Sequence, residues 1–426
     1  MFSLTAKAGR AAYDITRQKP GDDVSRLFPI DRDQLPVEQR RFHDAVMAIR
    51  RRPVSGPFIV LMNSSPDLAA RFAHLGHYFH SRGQADESIL SLRVRTFVAL
   101  LGSRALDVPY EWSAWVGWAI EAGVPQDTID AIRERGQLPN LTREDALVHD
   151  FCTQLMSAKH RVSDTTYQSA LDHFGAQGLV ELVMTLGYFA MIAFPLNAFE
   201  MEMSAAQIAM RKPYAPLLVN PDSNASEPRT GVRPFANQPR QTGSRIPMIT
   251  RQADLKPDNQ HFVDRIIRTR GCIAPVFQIL LNTPDVADRV ANVGAFVLYE
   301  SILSPQIKSL VWLITAREFD CEYEWDAAVA DARNAGIAEE SIDGILTDVA
   351  SPGVSEDQQA VIAFCHELTR GNHHVSAATY RAAVGRLGVA PTVQIAATLG
   401  YFAMMAFVLN AFDVQAEIPD ESRPAL

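Results

Sequence analysis

"TLGYFAMIAFPLNAFE" occupies residues 185–200 and "TLGYFAMMAFVLNAFD" residues 398–413, with thirteen of sixteen positions identical at a spacing of 213. Each stretch is apolar almost all round, so as a helix it must be buried on every side, in a core or at a subunit interface. Asn197 and Asn410 are the polar exceptions in their centres. A buried amide needs hydrogen-bond partners, which makes these asparagines locks of a fold or interface rather than catalysts.

A true internal repeat keeps one offset over long distances, and this one does. "SILSLRVRTFVALLGSRALDVPYEW" (88–112) lies over "SILSPQIKSLVWLITAREFDCEYEW" (301–325), and "HRVSDTTY" (160–167) over "HHVSAATY" (373–380). Further upstream Gly76 matches Gly294 at an offset of 218, so the first copy carries five extra residues between His80 and Glu87. The chain is a tandem duplication. The expected organisation is an N-terminal arm (1–30), a first lobe (31–210), a proline-rich linker (211–250), a second lobe (251–418) and a short tail (419–426).

Helical periodicity dominates both copies. Leu147, Val148, Phe151, Cys152, Leu155 and Met156 form one stripe, and Val361, Ile362, Phe364, Cys365 and Leu368 its counterpart. Thr142 with Asp145, and Ser355 with Gln358, stand in the capping-box spacing that satisfies amides of a first helical turn. Ser163 and Ser376 are placed to cap the helices after them. No sustained period-two pattern appears, so the prediction is an all-α fold with seven or eight helices per lobe. Lys212 to Pro247 holds seven prolines and reads as an extended connector.

Composition narrows the function. A net charge of −9 speaks against a nucleic-acid or acidic-membrane surface. The four cysteines, Cys152, Cys272, Cys321 and Cys365, form no CxxC pair, which fits a reducing, cytoplasmic setting. No uninterrupted apolar run reaches the roughly 20 residues of a membrane span, and the first residues have no apolar core of a secretory signal.

The residues resemble the carboxymuconolactone decarboxylase and alkylhydroperoxidase D-like superfamily. The resemblance rests on Asn63–Gly76, on the Tyr-Glu-Trp triplets at 110–112 and 323–325, and on Val180–Phe199, in an order that occurs twice. It implies an all-α bundle of small units that assemble as trimers or hexameric rings, so three tandem chains would form a pseudo-hexameric ring. Peroxidase members of this superfamily use a Glu, a CxxC pair and a His. The corresponding positions carry Thr96, Val108, Glu111 and Trp115 in lobe one, and Ser309, Cys321, Glu324 and Ala328 in lobe two. Thiol chemistry needs an activated thiolate and a resolving partner, and only Cys321 remains. Decarboxylase-type members keep the Tyr-Glu-Trp beside a relay Glu and a His and use no cofactor. Here the relay and His positions are Thr96 and Trp115, or Ser309 and Ala328.

Other residues can still do acid–base work. Lobe one has "AHLGHYFHSR", with His74, His77 and His80 at intervals of three, where lobe two has Asn292, Ala295 and Leu298. Three residues turn a helix by about 300°, so neighbouring pairs share a face and the outer two diverge. These histidines are either surface and packing residues or, for His77 with His80, pocket groups that move protons near neutrality; no HExxH or second ligand cluster indicates a metal. Glu111, beside Tyr110 and Trp112, is either a bridging carboxylate or a general acid raised by its aromatic wall. His160 and His373 read as surface or capping residues.

The expectation is therefore a cofactor-independent, decarboxylase-like lyase acting on a small carboxylated or lactone-containing molecule in lobe one. His77, Glu111 and Tyr110 are the catalytic candidates, with His80, Trp112, Trp115 and Thr96 lining the substrate. Second-lobe candidates are Cys321, Tyr323, Glu324 and Trp325. The alternatives are a non-catalytic binding or assembly protein and a thiol redox protein working through Cys321.

Overall fold

The computed structural model describes residues 26–81, 87–201, 217, 235 and 243–414. Most of the expected linker and arm, the tail and the five extra residues of the first copy lie outside these. Among the described residues all regular structure is helical.

Lobe one contributes α1 (Val37–Arg50), α2 (Pro57–Met62), α3 (Pro66–His80), α4 (Leu92–Ala105), α5 (Pro109–Glu121), α6 (Gln126–Arg133), α7 (Arg143–Met156) and α8 (Asp164–Ala198). Lobe two repeats the order with α9 (His261–Arg270), α10 (Pro275–Leu280), α11 (Pro284–Ala295), α12 (Pro305–Glu318), α13 (Glu322–Asn334), α14 (Glu339–Thr347), α15 (Glu356–Thr369), α16 (Ala377–Leu387) and α17 (Val389–Ala411). A single turn of wide helix, Phe296–Glu300, extends α11.

Both capping boxes form, and Ser163 and Ser376 accept the amides of Thr166 and Thr379. Gly175 interrupts α8 with φ 66° and ψ 177°, and Gly388, its repeat partner, separates α16 from α17 with φ 89° and ψ 166°. The two lobes thus break their last helix at the same place. His160 and His373 take the capping role, at the helix that precedes them: a ring nitrogen of each bonds the carbonyl five residues back, Leu155 at 3.1 Å and Leu368 at 3.0 Å.

The duplicated apolar segments end α8 and α17 and pack against each other at the centre of the molecule. A methyl group on Gly187 would lie 2.8 Å from the Met404 side chain, and one on Gly400 would lie 2.4 Å from the Met191 carbonyl oxygen. Met191 and Met404 are themselves repeat partners, so the crossing has an approximate twofold symmetry. Asn197 and Asn410 are locks, as their burial requires: each Nδ2 donates at 2.8 Å to the carbonyl that ends the fourth helix of its own lobe, Leu106 or Phe319.

Two helices, Asp164–Ala198 and Val389–Ala411, prove long and apolar enough to cross a membrane, which the sequence reading did not anticipate because polar residues interrupt the runs. Their apolar stretches are wholly buried inside the protein, each serving as a large part of the other's surroundings.

The symmetry extends to charged residues. Arg71 of α3 donates to the Asn292 carbonyl at 3.0 Å and pairs with Glu300 at 2.6 Å. Arg289 of α11 donates to the His74 carbonyl at 2.9 Å and pairs with Glu87 at 2.7 Å. Each arginine also holds the aspartate four residues before it on its own helix. Arg71 and Arg289 are largely shielded from solvent, where charge-assisted hydrogen bonds are stronger than at an exposed surface.

Alanine is usually better than glycine inside a helix by about 1 kcal/mol. At this crossing the sign should reverse, because overpacking typically costs about 1–3 kcal/mol. Gly400→Ala, which meets a backbone carbonyl, should destabilise more than Gly187→Ala, which meets a flexible methionine. Urea unfolding of both variants checks this; an increase in stability for Gly400→Ala would contradict the close crossing.

Candidate active site

The end of α3 is held from below by buried polar groups. Arg95, wholly buried, donates to the carbonyls of Phe79 at 3.3 Å and Ser81 at 2.8 Å. Glu181, equally buried, accepts the Tyr78 hydroxyl at 2.7 Å, the Ser88 hydroxyl at 2.7 Å and the Ile89 amide at 3.0 Å. These contacts fix the chain on both sides of residues 82–86 and set the direction of His80.

His80 enters a cavity between α1, α2, α5 and α8. Its other walls are Arg50, Arg52, Pro57, Phe58, Tyr110, Glu111, Ala114, Trp115, Trp118, Tyr188 and Ile192, and the space is about 410 Å³ with its open mouth included. The imidazole stacks on Trp115 with ring centres 5.0 Å apart and meets Tyr188 edge-on at 5.4 Å. Burial pushes its pKa well below the usual histidine value, and the positive charges of Arg50 and Arg52 push the same way. His80 is therefore neutral at pH 7. A ring N–H bonds the Gly76 carbonyl, which leaves the other nitrogen with a lone pair.

Glu111 is buried one helical turn from Trp115, whose indole N–H donates to its Oε2 at 2.8 Å. Tyr110 bonds Ser55, and burial raises its pKa, so it remains a hydroxyl donor. Trp118 packs edge-on against Trp115 at 4.9 Å and widens the aromatic wall.

Two further groups line this cavity that sequence reasoning passed over. Tyr188, in the middle of the duplicated segment, is wholly buried, and its hydroxyl has no hydrogen-bond partner among the described residues. It fits only because position 76 is glycine: a methyl group there would lie 2.1 Å from the hydroxyl oxygen. Arg50, the last residue of α1, lies over the Phe58 ring at 4.0 Å, and its buried Nε lacks a partner among the described residues. Burial, and then repulsion from Arg52, lower its pKa to about 10, which still leaves it a cation at neutral pH.

The remaining sequence candidates fall elsewhere. His77 does not line the cavity; it is half-buried and electrostatically coupled to His74, whose carbonyl receives Arg289 from the other lobe. Thr96 is wholly buried and donates to the Arg93 carbonyl at 3.0 Å, away from the cavity. Trp112 is a core residue with no exposed surface. So of the seven lobe-one candidates the cavity gathers four: His80, Tyr110, Glu111 and Trp115.

Lobe two keeps the scaffold and has changed the contents. Leu298 and Ala328 replace His80 and Trp115. Arg270, which ends α9 and lies over Phe277 at 4.4 Å as Arg50 lies over Phe58, is fully engaged: it donates to the Thr269 hydroxyl at 2.8 Å, the Ala291 carbonyl at 3.2 Å and the Tyr401 hydroxyl. Cys321 is buried before α13, and burial with the nearby Glu324 holds its thiol well above the ordinary range, so it is not a thiolate at neutral pH. Trp325 is buried against Phe235, ring centres 5.8 Å apart, and Tyr323 is half-buried.

Glu324 is buried with Oε2 unpartnered among the described residues. Burial raises its pKa well above the usual value, and the Trp312 indole pulls weakly the other way. A carboxyl that is more basic in the folded state favours folding at low pH, and that advantage is lost as pH rises above its unfolded value of about 4.5. Glu324→Gln should therefore raise the melting temperature at pH 7, by roughly 1 °C per kcal/mol relieved in a chain of this length, with the gain shrinking towards pH 4.5. Melting curves across that range test it; a lower melting temperature at pH 7 would show that the carboxylate is satisfied.

Comparison with known proteins agrees with this architecture. Residues 284–367 match the model of the Carboxymuconolactone decarboxylase family, and through the repeat they correspond to residues 66–154 of lobe one. No curated protein and no solved structure gives a significant match. Over residues 284–367, from α11 to α15, the chain is similar to that family.

Proposed function

We propose that the protein is a cofactor-independent lyase of the decarboxylase type, working on a small carboxylated or lactone-containing molecule in the lobe-one cavity. The observation that carries this is the gathering of a neutral His80, Glu111 and Tyr110 in one aromatic-walled cavity whose lobe-two counterpart lacks the histidine. The similarity of residues 284–367 to the carboxymuconolactone decarboxylase family supports the scaffold on which such chemistry is built.

In this reading the scissile carbon–carbon bond breaks heterolytically. CO₂ leaves, and the electron pair stays on the adjacent carbon as an enolate. The Tyr110 hydroxyl, kept protonated by burial, donates to the developing oxyanion. Glu111 delivers a proton to carbon and recovers one from solvent at the cavity mouth, while the lone pair of His80 accepts any proton released from a substrate hydroxyl. The tryptophan walls keep the enolate from bulk water. Isomerisation or dehydration would use the same groups, so product mass decides among them.

The catalytic role expected of His77 passes to His80. Lobe two serves as the support of lobe one, through the helix crossing and the paired arginines. The cysteine usage supports a cytoplasmic site of action. Three chains forming a ring of six lobes is the proposed assembly; light scattering should give a trimer, and a stable monomer would remove the ring.

Incubating the purified protein with a metabolite extract from its host, followed by mass-resolved profiling, should show one compound replaced by a product lighter by CO₂. His80→Ala and Glu111→Gln should each slow that conversion by about 100-fold or more, whereas His77→Ala should stay within a few-fold of the parent. Full activity in folded His80→Ala and Glu111→Gln would refute the assignment, and absence of any conversion across extracts would leave a binding protein.

A further inference from the structure

A half-buried guanidinium whose Nε has no partner among the described residues, set in the wall of an aromatic cavity, is an unusual thing for a protein to keep. Buried charges are costly unless they are paired. Arg50 has an aromatic face beneath it and a buried Nε with no partner among the described residues. Glu111 attracts it electrostatically. The duplication supplies an internal control. Arg270, at the same place in lobe two, spends its donors on Thr269, Ala291 and the Tyr401 hydroxyl. In lobe one the equivalent hydroxyl, that of Tyr188, is likewise left without a partner. The cation and the phenol that satisfy each other in lobe two are both unspent in lobe one, and both line the same cavity.

We propose that Arg50 and the Tyr188 hydroxyl together form the binding site for the carboxylate of a planar, unsaturated monocarboxylic acid. The charge follows from the half-buried Arg50 guanidinium, whose parallel N–H donors match the two oxygens of a carboxylate. The planar, apolar body follows from the remaining walls: Phe58, Trp115 and Trp118 offer ring faces and edges, with Pro57 and Ile192 completing an apolar lining. Arg52, exposed at the rim, draws anions towards the mouth. This assignment rests on the reading of the cavity as a reaction chamber and names what that chamber holds. A second carboxylate on the substrate would have to remain at the mouth beside Arg52.

Benzoate is a suitable probe, because binding can be read without turnover from the fluorescence of Trp115 and Trp118 and from calorimetry on the full chain. Benzoate should bind at least about 10-fold more tightly than benzamide, its neutral analogue of the same shape, as expected for a charge-assisted contact. Cyclohexanecarboxylate, which keeps the charge and loses planarity, should be weaker than benzoate. Arg50→Met should weaken benzoate by about 30-fold and leave benzamide unchanged; Arg50→Lys should restore part of the loss, and Tyr188→Phe should cost several-fold. Equal affinity for benzoate and benzamide in the parent protein would overturn the proposal, and that comparison needs no variant to fold. Benzoate binding unchanged in folded Arg50→Met would overturn it too. Selective benzoate binding by the parent protein with no conversion in any extract would keep the anion site and remove the catalytic assignment, so the two failures give different results.

Discussion

The close crossing of α8 and α17 at Gly187 and Gly400 is the constraint from which the rest of the molecule follows. Two nearly identical apolar helices cannot be exposed to water, and each solves the problem by lying against the other. Glycine at the contact lets backbone meet side chain and backbone at van der Waals range, where dispersion is gathered from many atoms at once. Once the pair is crossed, the ends of α3 and α11 come within reach of each other, and Arg71 and Arg289 tie them reciprocally. The duplication is therefore a means of burying a surface, and the paired arginines orient what surrounds it.

That arrangement bears on the cavity through α3. The helix is held on one side by Arg289 at the His74 carbonyl and on the other by Arg95 at the Phe79 and Ser81 carbonyls, so His80 has little freedom where it enters the cavity. Tyr188, which lies over Gly76, comes from the very segment that forms the crossing. Burial of one face of α8 against lobe two and the placing of Tyr188 in the cavity wall are thus consequences of one helix position. Lobe two has the corresponding arginine, Arg270, hydrogen-bonded to the Thr269 hydroxyl and the Ala291 carbonyl and lying at the Tyr401 hydroxyl. Its Glu324 remains as a buried carboxyl held above its usual range.

Much of this was legible in the sequence, and the reasons are physical. The repeat offset, the capping boxes at Thr142 and Ser355 and the locking asparagines depend on local chemistry that recurs at fixed spacing. Glu111, Tyr110, Trp115 and His80 were identified as residue types, but helical spacing alone could not say which of three histidines faces inward; the structure selects His80 over His77. Arg50 was missed because a cation at a helix end reads as an ordinary C-terminal charge. Tyr188 was missed because a tyrosine in an apolar helix reads as core. The signal that could have found them lies in divergence between the copies: the surroundings of Arg50 changed while Arg270, Tyr188 and Tyr401 stayed.

The account depends most on a neutral imidazole enclosed between Trp115 and Tyr188. Proton NMR titration of the histidine ring signals, with His80→Gln used to assign the resonance, measures this without knowledge of the substrate. The account predicts that the His80 signal shows no titration as pH is lowered through about 6.5, the ordinary histidine value, and shifts only well below it. A normal titration near 6.5 would mean that the ring is solvated, and would contradict both the enclosed cavity and the chemistry assigned to it.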